Sequence, residues 1–566
     1  MGSWAGTESE IRKPTGKVLE MPEQRGAPGD DVPWWRRAVA YQIYPRSFAD
    51  GNGDGTGDIA GIRSRLRYLQ ALGVNALWFN PWYASPLADG GYDVADYRQL
   101  NPRFGTVEEA AVLIGAAHEL GLRTIVDVVP NHTSDQHRWF REALAAEPGS
   151  PARRRYHFLP GTGPDRSEPP NDWTSVFGGS AWTRVDGGEW YLHLFAPEQP
   201  DLNWHNDEVL AEFDDVLRFW LDREVDGFRV DVAHGMVKDM SYPDLGEHKQ
   251  QILGNSRLPN HPYWDRHGVH AINRRWRAVL DEYDGDRMMV AEAWVRPESY
   301  GLYLRPDEYH QVFNFDLLQA EWDAAEMAEI IQVSVDKATS VGSTPTWVLS
   351  NHDVMREATR YGLPKGTTWR TWPVTGPHDL LDPERGLRRA RAAALLMLGL
   401  PGSAYVYQGE ELGLPEVWDL PEEVLDDPVW ERSGGEQKGR DGCRVPIPWA
   451  ESGPSFGFGD AAGWLPQPDS FAAYSVEAQT GVPGSTLELF RRTLVLRSQW
   501  AAVDEEVELF DAGSEVLAFR RGSGLRCVVN MSGDPVEMPD HDEVLLASEP
   551  GDGGGTLAPD TAVWLR

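Results

Sequence analysis

Residues 227–235 read GFRVDVAHG. Arg229 and Asp231 stand two apart in an otherwise apolar, β-branched run. A strand would put both on one face, with Phe228, Val230 and Val232 turned the other way toward packing. Charges on a buried face need a partner or a use. For the stretch alone two readings stand: an Arg/Asp ion pair that anchors a strand, or part of a site.

Working outward, comparable runs recur along the chain: AVAYQIYP (38–45), ALWFN (76–80), RTIVDVV (123–129), GFRVDV (227–232), MMVAEAW (288–294), QVFNFD (311–316), PTWVLSNH (345–352) and SAYVYQG (403–409). Amphipathic segments at 62–72, 107–120, 209–223, 272–283 and 387–398 lie between them. Near-continuous apolar strands alternating with helices predict a parallel sheet covered by helices, and this number of repeats predicts a closed (β/α)8 TIM barrel, an α/β fold.

Two stretches break the rhythm. Residues 131–200 are rich in Trp, Pro, Gly and Asp without a clear helical pattern, and they predict an inserted lobe after the third strand. Residues 413–464 are irregular and charged, and a helical pattern follows at 485–497. From about residue 501 short alternating runs split by Gly and Asp turns predict a C-terminal antiparallel β-sandwich. The expected organisation is a flexible leader over 1–31, a barrel from 32–130 and 201–500, the lobe at 131–200 and the β domain at 501–566.

Composition narrows the function. The chain of 566 residues carries a formal charge of -35, which repels nucleic-acid backbones and anionic membranes and favours a neutral or cationic small ligand. No early apolar segment has positive flanks and no apolar run is long enough to span a bilayer, so the expected location is cytoplasmic. The only cysteines, Cys443 and Cys527, sit far apart in unlike contexts and do not read as a disulfide framework. The expected form is a monomer or homodimer.

In such barrels the working residues come from the carboxyl ends of strands. Here those ends are polar: Asp127 and His132 after the third strand, Arg229 and Asp231 on the fourth, Glu292 on the fifth, His352 and Asp353 after the seventh. One polar end is explained by an ion pair, but four around one mouth point to chemistry. Cleavage of a glycosidic bond needs a protonated carboxyl beside the leaving oxygen and a carboxylate at the anomeric carbon. Asp231 and Glu292 fall on consecutive strands, which lie about 4.8 Å apart. Their carboxyls then suit the separation of about 5–5.5 Å of a retaining, covalent mechanism. Arg229 should keep Asp231 ionised, and an apolar setting with Trp294 should raise Glu292 toward an acid's role.

The motifs YQIYPRSFADGNGDGTGD, GYDVADY, DVVPNH, QPDLNW, GFRVDV, VAEAW, SNHD, QGEELG and GRDGCRVPIPW together resemble the α-amylase superfamily (glycoside hydrolase family 13), near its oligo-1,6-glucosidase and bacterial α-glucosidase branch. The resemblance covers nearly everything from about Trp34 onward. It implies Asp231 as nucleophile, Glu292 as acid/base and Asp353 as a third carboxylate that grips sugar hydroxyls. It also implies a pocket for a terminal glucose lined by Tyr92, Asp93, His132, Arg229, Phe313, His352 and Arg440, with Asp93 and Arg440 closing its far wall. Core packing is an equally good reading for Tyr92 and Phe313.

The Gly/Asp-rich loop after the first strand offers Asp50, Asn52, Asp54, the Thr56 carbonyl and Asp58 at alternate positions, hard oxygen donors that suit calcium or magnesium. Gly61 stands where an EF-hand requires Glu, and the family's metal loop implies a structural ion. His234 and Gly235 replace the Lys-His pair that follows the nucleophile in amylases cutting inside polymers. The expected activity is a retaining exo-acting α-glucosidase on short sugars such as maltose, favouring α-1,4 with some α-1,6 bonds. An oligo-1,6-glucosidase, to which Val232 next to the nucleophile leans, and a transglucosylase or a sucrose- or trehalose-directed enzyme are the alternatives.

Overall fold

Each of the eight runs forms a strand: β1 (Val39–Ile43), β2 (Ala76–Phe79), β3 (Arg123–Val128), β4 (Gly227–Val230), β5 (Met288–Ala291), β6 (Gln311–Val312), β7 (Thr346–Val348) and β8 (Ser403–Tyr407). All pair in parallel in the order β6-β5-β4-β3-β2-β1-β8-β7. The ring closes where the Asn314 N–H, just past β6, donates to the Thr346 carbonyl on β7 at 3.1 Å. The computed structural model describes residues 32–248, 252, 258–551 and 555–566, so the leader expected over 1–31 lies outside them.

Side chains alternate across a strand, and one set from each points inward. Ala40, Ala76, Trp78, Ile125, Met288, Val290, Phe313, Val348 and Tyr405 form a single apolar cluster that fills the barrel. The next inward position along the chain is polar: Gln42 after Ala40, Asn80 after Trp78, Asp127 after Ile125, Glu292 after Val290. The plug therefore gives way to a polar layer at the carboxyl ends. Trp78 is its floor, fully buried with the Arg229 guanidinium 5.2 Å above its ring. Losing such a ring costs about 3–5 kcal/mol.

Helices cover the outside. Val107–Glu119 starts at a capping box between Thr106 and Glu109, and Asp207–Leu221 starts with the Asn206 side chain accepting from the Glu208 N–H. The segment expected as one helix at 62–72 is two, Ile59–Ser64 and Leu66–Leu72. A helix absent from the sequence reading, Ala324–Ser340, is capped by Asp323 and buries Ala324, Met327, Ile331, Ser334 and Ala338 at helical spacing. Ser334 interrupts its apolar stripe and the exposed Val333 puts an apolar residue on the opposite face, which blurs the helical period.

The stretch 131–200 contains a helix after all, Arg138–Ala145, together with an antiparallel sheet of Phe158–Pro160, Glu189–Leu192 and Trp182–Arg184. Its aromatic core, with Trp173, Trp182 and Leu192, also takes in Val232, Tyr263 and Trp264, so it packs directly on the chain beyond β4.

Past residue 501 a five-stranded antiparallel sheet runs Val507–Leu509, Val516–Arg521, Arg526–Asn530, Thr561–Leu565, Val544–Ala547, and Val536–Glu537 pairs with Thr556–Leu557 in a separate ribbon. One face (Leu517, Phe519, Cys527, Val529, Trp564) joins the main core, and the other (Ala518, Val528, Val563, Leu565) packs with ribbon residues Val536 and Leu557. Gly399, at the end of the helix Pro383–Gly399, permits this docking, because a Cβ there would meet the Phe519 ring at 3.0 Å.

Candidate active site

A cavity of about 100 Å³ opens at the carboxyl ends of the strands, and the polar layer is its base. Asp231 lies one residue past β4 and Glu292 one past β5, both almost fully buried. One guanidinium holds both: Arg229 Nη1 is 2.7 Å from Asp231 Oδ1 and Nη2 is 2.9 Å from Glu292 Oε2. Arg229 also donates to Asp127 Oδ1 at 2.9 Å, and Asp127 accepts from the Tyr92 hydroxyl at 3.0 Å.

After Asp231 the chain turns sharply. Val232 adopts φ 46°, a left-handed conformation costly for a β-branched residue. The turn does two things. It points the Val232 N–H at Glu292 Oε2, 3.0 Å away, and it puts the Val232 side chain in the cavity wall, where strand alternation would have turned it into the core. Gly235 makes room, since a Cβ there would lie 2.6 Å from both Trp264 and Val232. Lys238, buried and bonded to Asp201, Asn131 and the Gly235 carbonyl, ties the segment down. Glu292 takes a further bond from Trp294 Nε1 at 3.0 Å.

Burial pushes Asp231 well above the usual carboxylate range against the pull of Arg229, and Glu292 and Asp127 add to the rise. Burial therefore outweighs the arginine that the sequence reading expects to keep Asp231 ionised. Asp353 goes the other way: burial raises it, but His352, Arg440, Arg444 and Arg229 together hold it well below the usual range. Arg444 Nη2 is 3.0 Å and Arg440 Nη1 3.3 Å from its Oδ1. Gln42 donates to His352 Nδ1 at 2.8 Å, which assigns the ring proton to Nε2, 3.2 Å from Asp353 Oδ2. Tyr92 stacks on the His352 ring at 5.2 Å.

Of the residues singled out in the sequence, Tyr92, His132, Asp231, Glu292, Asp353 and Arg440 line the cavity. Arg229 and His352 lie beneath and hold them. Asp93 does not face Arg440: it is fully buried and accepts from Ser85 Oγ and the Ala88 and Asp89 N–H groups. Arg440 instead meets Asp89 at 2.6 Å and Asp427 at 2.5 Å. The motif DGGYD holds two aspartates, and only the loop's path decides between them. Phe313 belongs to the barrel plug, against Trp78 and Tyr405, and does not line the cavity. Phe177, with Arg440 4.9 Å over its ring, and Phe195, 5.1 Å from His132, close the wall from the lobe. No spacing in the lobe marks them. Trp264 and Arg370 complete the outer wall.

The loop at 50–58 folds around its own oxygens: Asp50 accepts from the N–H groups of Asn52, Gly53 and Gly55, Asn52 from Asp54, and Asp54 from Thr56. Asp58 caps the helix Ile59–Ser64 through the Gly61 N–H. Burial raises its carboxyl, Gly61 and Gly51 N–H bonds oppose this, and Asp50 and Asp54 raise it further. Among the described residues no three His, Cys, Asp or Glu side chains converge on one point, so an ion here would need Asn52 and the Thr56 carbonyl as well. The donors the loop offers, carboxylate, amide and carbonyl oxygens, are of the hard type that such a cation takes.

Comparisons agree with this geometry. The family described as alpha amylase, catalytic domain, matches residues 42–506, and a domain of unknown function, DUF3459, matches 504–564. A protein named "Probable alpha-glucosidase" from Rhizobium meliloti (strain 1021) is 38% identical over 523 residues, 89% of this chain and 90% of its own length. An oligo-1,6-glucosidase from Parageobacillus thermoglucosidasius is 34% identical over 502 residues, 82% of this chain and 84% of its own. Among solved structures, the alpha-glucosyl transfer enzyme XgtA superposes with a TM-score of 0.81 at 34% identity, covering 94% of this chain and all of its own. The trehalulose synthase MutB from Pseudomonas mesoacidophila MX-45 superposes with a TM-score of 0.80 at 29% identity, covering 94% and 99%.

Proposed function

Since the chain belongs to the alpha-amylase family of glycoside hydrolases, we propose that it is a retaining exo-acting α-glucosidase that releases glucose from the non-reducing end of short α-glucosides, α-1,4 before α-1,6. The observation that carries this is the single guanidinium of Arg229 gripping Asp231 and Glu292 together. Two carboxyls held that closely leave no room for a water between them, which favours a covalent route over direct displacement.

Asp231 attacks the anomeric carbon while Glu292 gives its proton to the glycosidic oxygen, and the glucose is held as an ester on Asp231. Glu292, now ionised, takes a proton from water as that water displaces Asp231. Asp353, kept ionised by its arginines, accepts hydrogen bonds from hydroxyls of the bound ring and stabilises the positive charge that develops. The Arg440 bridge to Asp89 and Asp427 walls the cavity and supports exo action, because a chain cannot thread past it.

The loop at 50–58 would hold a structural calcium or magnesium ion through Asp50, Asn52, Asp54, Asp58 and the Thr56 carbonyl. It contributes stability and takes no part in the reaction. Both cysteines are buried and unpaired, in keeping with a reducing, cytoplasmic setting. The likeness to an alpha-glucosyl transfer enzyme favours a second reading, in which a sugar replaces water in the second step. Initial rates on maltose, isomaltose, sucrose, trehalose and maltotriose, with product anomers followed in time, test the assignment. It requires α-glucose as the first product and maltose among the best substrates; early β-glucose refutes retention, and a strong isomaltose preference refutes the α-1,4 assignment.

A further inference from the structure

A second and larger cavity, of about 800 Å³, opens between the chain that follows β7 and the turns of the C-terminal domain at Glu515, Met531 and Gly533. The mechanism above makes no use of it. Five of its side chains are basic. Three of these are neutralised: Lys365 by Asp323 at 2.6 Å, Arg389 by Asp560 at 2.7 Å and, more loosely, Arg385 by Asp382 at 3.8 Å. Arg360 and Arg370 are not.

Arg360 is 8% exposed; its terminal nitrogens donate to the Leu318 and Leu349 carbonyls, and its Nε is buried without a partner among the described residues. Glu357 feels its charge but forms no ion pair with it. Arg370 stands on the same wall, and among the described residues its guanidinium makes no hydrogen bond or ion pair. The two charges act on each other, since burial and the like charge of Arg360 together lower the Arg370 guanidinium from its ordinary value. Buried charges without a counterion are costly, and two of one sign more so. Such a pair calls for a bound anion.

The surroundings say which kind. The chain as a whole carries a formal charge of -35, so a large polyanion is repelled and only one small enough to enter the cleft gains from the local excess of arginine. A neutral sugar is a poor match, because the Arg370 guanidinium covers the Trp369 face at 4.4 Å and that ring also packs with Met355, Leu363 and Trp372. Guanidinium forks match the paired oxygens of phosphate, where a halide offers a single acceptor. Of the remaining acids in the cleft, Glu321 accepts from the Gly366 N–H at 2.7 Å and Glu515 is exposed at the rim.

We propose that Arg360 and Arg370 form an oxyanion site for one phosphate group, free or as the monoester of a small molecule, in the cleft between the barrel and the C-terminal domain. The site stands independently of the α-glucosidase assignment. Arg370 also lines the catalytic cavity, so one side chain belongs to both walls.

Equilibrium dialysis of the full chain against radiolabelled inorganic phosphate, with ionic strength held constant by chloride, tests the site. One saturable site is expected. Arg370→Gln should weaken it at least about tenfold, and Arg370→Lys, which keeps the charge and loses the fork, by less. Arg360→Gln should weaken it as much, but it also releases the Leu318 and Leu349 carbonyls. Should that variant fail to fold, Arg370→Gln at its half-buried position decides, with an unchanged melting temperature in phosphate-free buffer as the check on folding. Unlabelled methyl phosphate distinguishes the sources: competition equal to that of phosphate shows that an ester fits, and its failure to compete assigns the free ion. Absence of saturable phosphate binding, or the same affinity in wild type and Arg370→Gln, overturns the site.

Discussion

Arg440 Nη2 donates to Asp89 Oδ1 at 2.6 Å, joining two residues 351 apart in the sequence across the wall of the cavity. The same guanidinium holds Asp427 and reaches Asp353, so one side chain fastens the loop after β2, the long segment after β8 and the carboxylate after β7. This links the shape of the cavity to the stability of the loops around it.

Asp89→Asn keeps the volume and removes the charge. Because Arg440 retains Asp427, folding should be little affected, while kcat/KM on maltose falls by about 10²-fold through loss of a charged contact in the pocket. Arg440→Met differs: it strands Asp89 and Asp427, both buried, and should lower unfolding free energy by about 3–5 kcal/mol. Urea midpoints alongside kinetics separate the two effects.

Glu292→Gln keeps the bonds from Val232 and Trp294 within reach but has no proton to give. Substrates with sugar leaving groups should lose about 10³-fold or more in kcat, whereas α-glucosyl fluoride, which needs no acid, keeps a far larger share of its rate. A uniform loss on both would mean that Glu292 is not the acid.

Asp127 gives a pH test with a fixed sign. Burial, opposed by Arg229 and Tyr92 and aided by Glu292, pushes its carboxyl up to about 7, against about 3.9 when unfolded. The folded protein therefore binds more protons between these values. The stability this proton contributes is complete below about pH 3.9 and lost as pH rises through about 7. Asp127→Asn cannot ionise, so its stability relative to wild type should improve as pH rises from about 4 to 7, by at most about 1.4 kcal/mol per pH unit. Denaturation at several pH values checks the slope; a flat or opposite trend would show that Asp127 is ionised throughout.

Chelation should lower the melting temperature, and added calcium should restore it. Asp54→Ala, at an exposed position with no long-range contact among its hydrogen bonds, should erase that response while costing about 1 kcal/mol or less by itself. Equal chelator sensitivity in wild type and variant would move the ion elsewhere.

The barrel was legible because parallel strands buried on both faces are near-continuous apolar runs, and all eight stood out. Within the site, Asp231, Glu292 and Asp353 were legible because each ends a strand run. Asp89 was not, since a loop with two aspartates carries no period, and Phe177, Phe195 and Trp264 come from regions where aromatic residues pack without repeat. Val232 was misread for a physical reason: two-residue alternation assumes an extended backbone, and the chain leaves that conformation directly after Asp231. The helix at 324–340 was missed because its apolar stripe is interrupted, although its cap was in view.

The inverted backbone at Val232 makes the Asp231 and Glu292 carboxyls one mechanical part. Its amide, bonded to Asp231 on one side, reaches Glu292 on the other, so neither carboxylate can be reset alone. Exchange for Thr preserves the linkage and changes only the wall; exchange for Pro, with no N–H and φ fixed near about -65°, would sever it. A change of side chain at this position thereby also acts on how Glu292 is held, and the narrow set of residues that tolerate the turn limits how far either can drift.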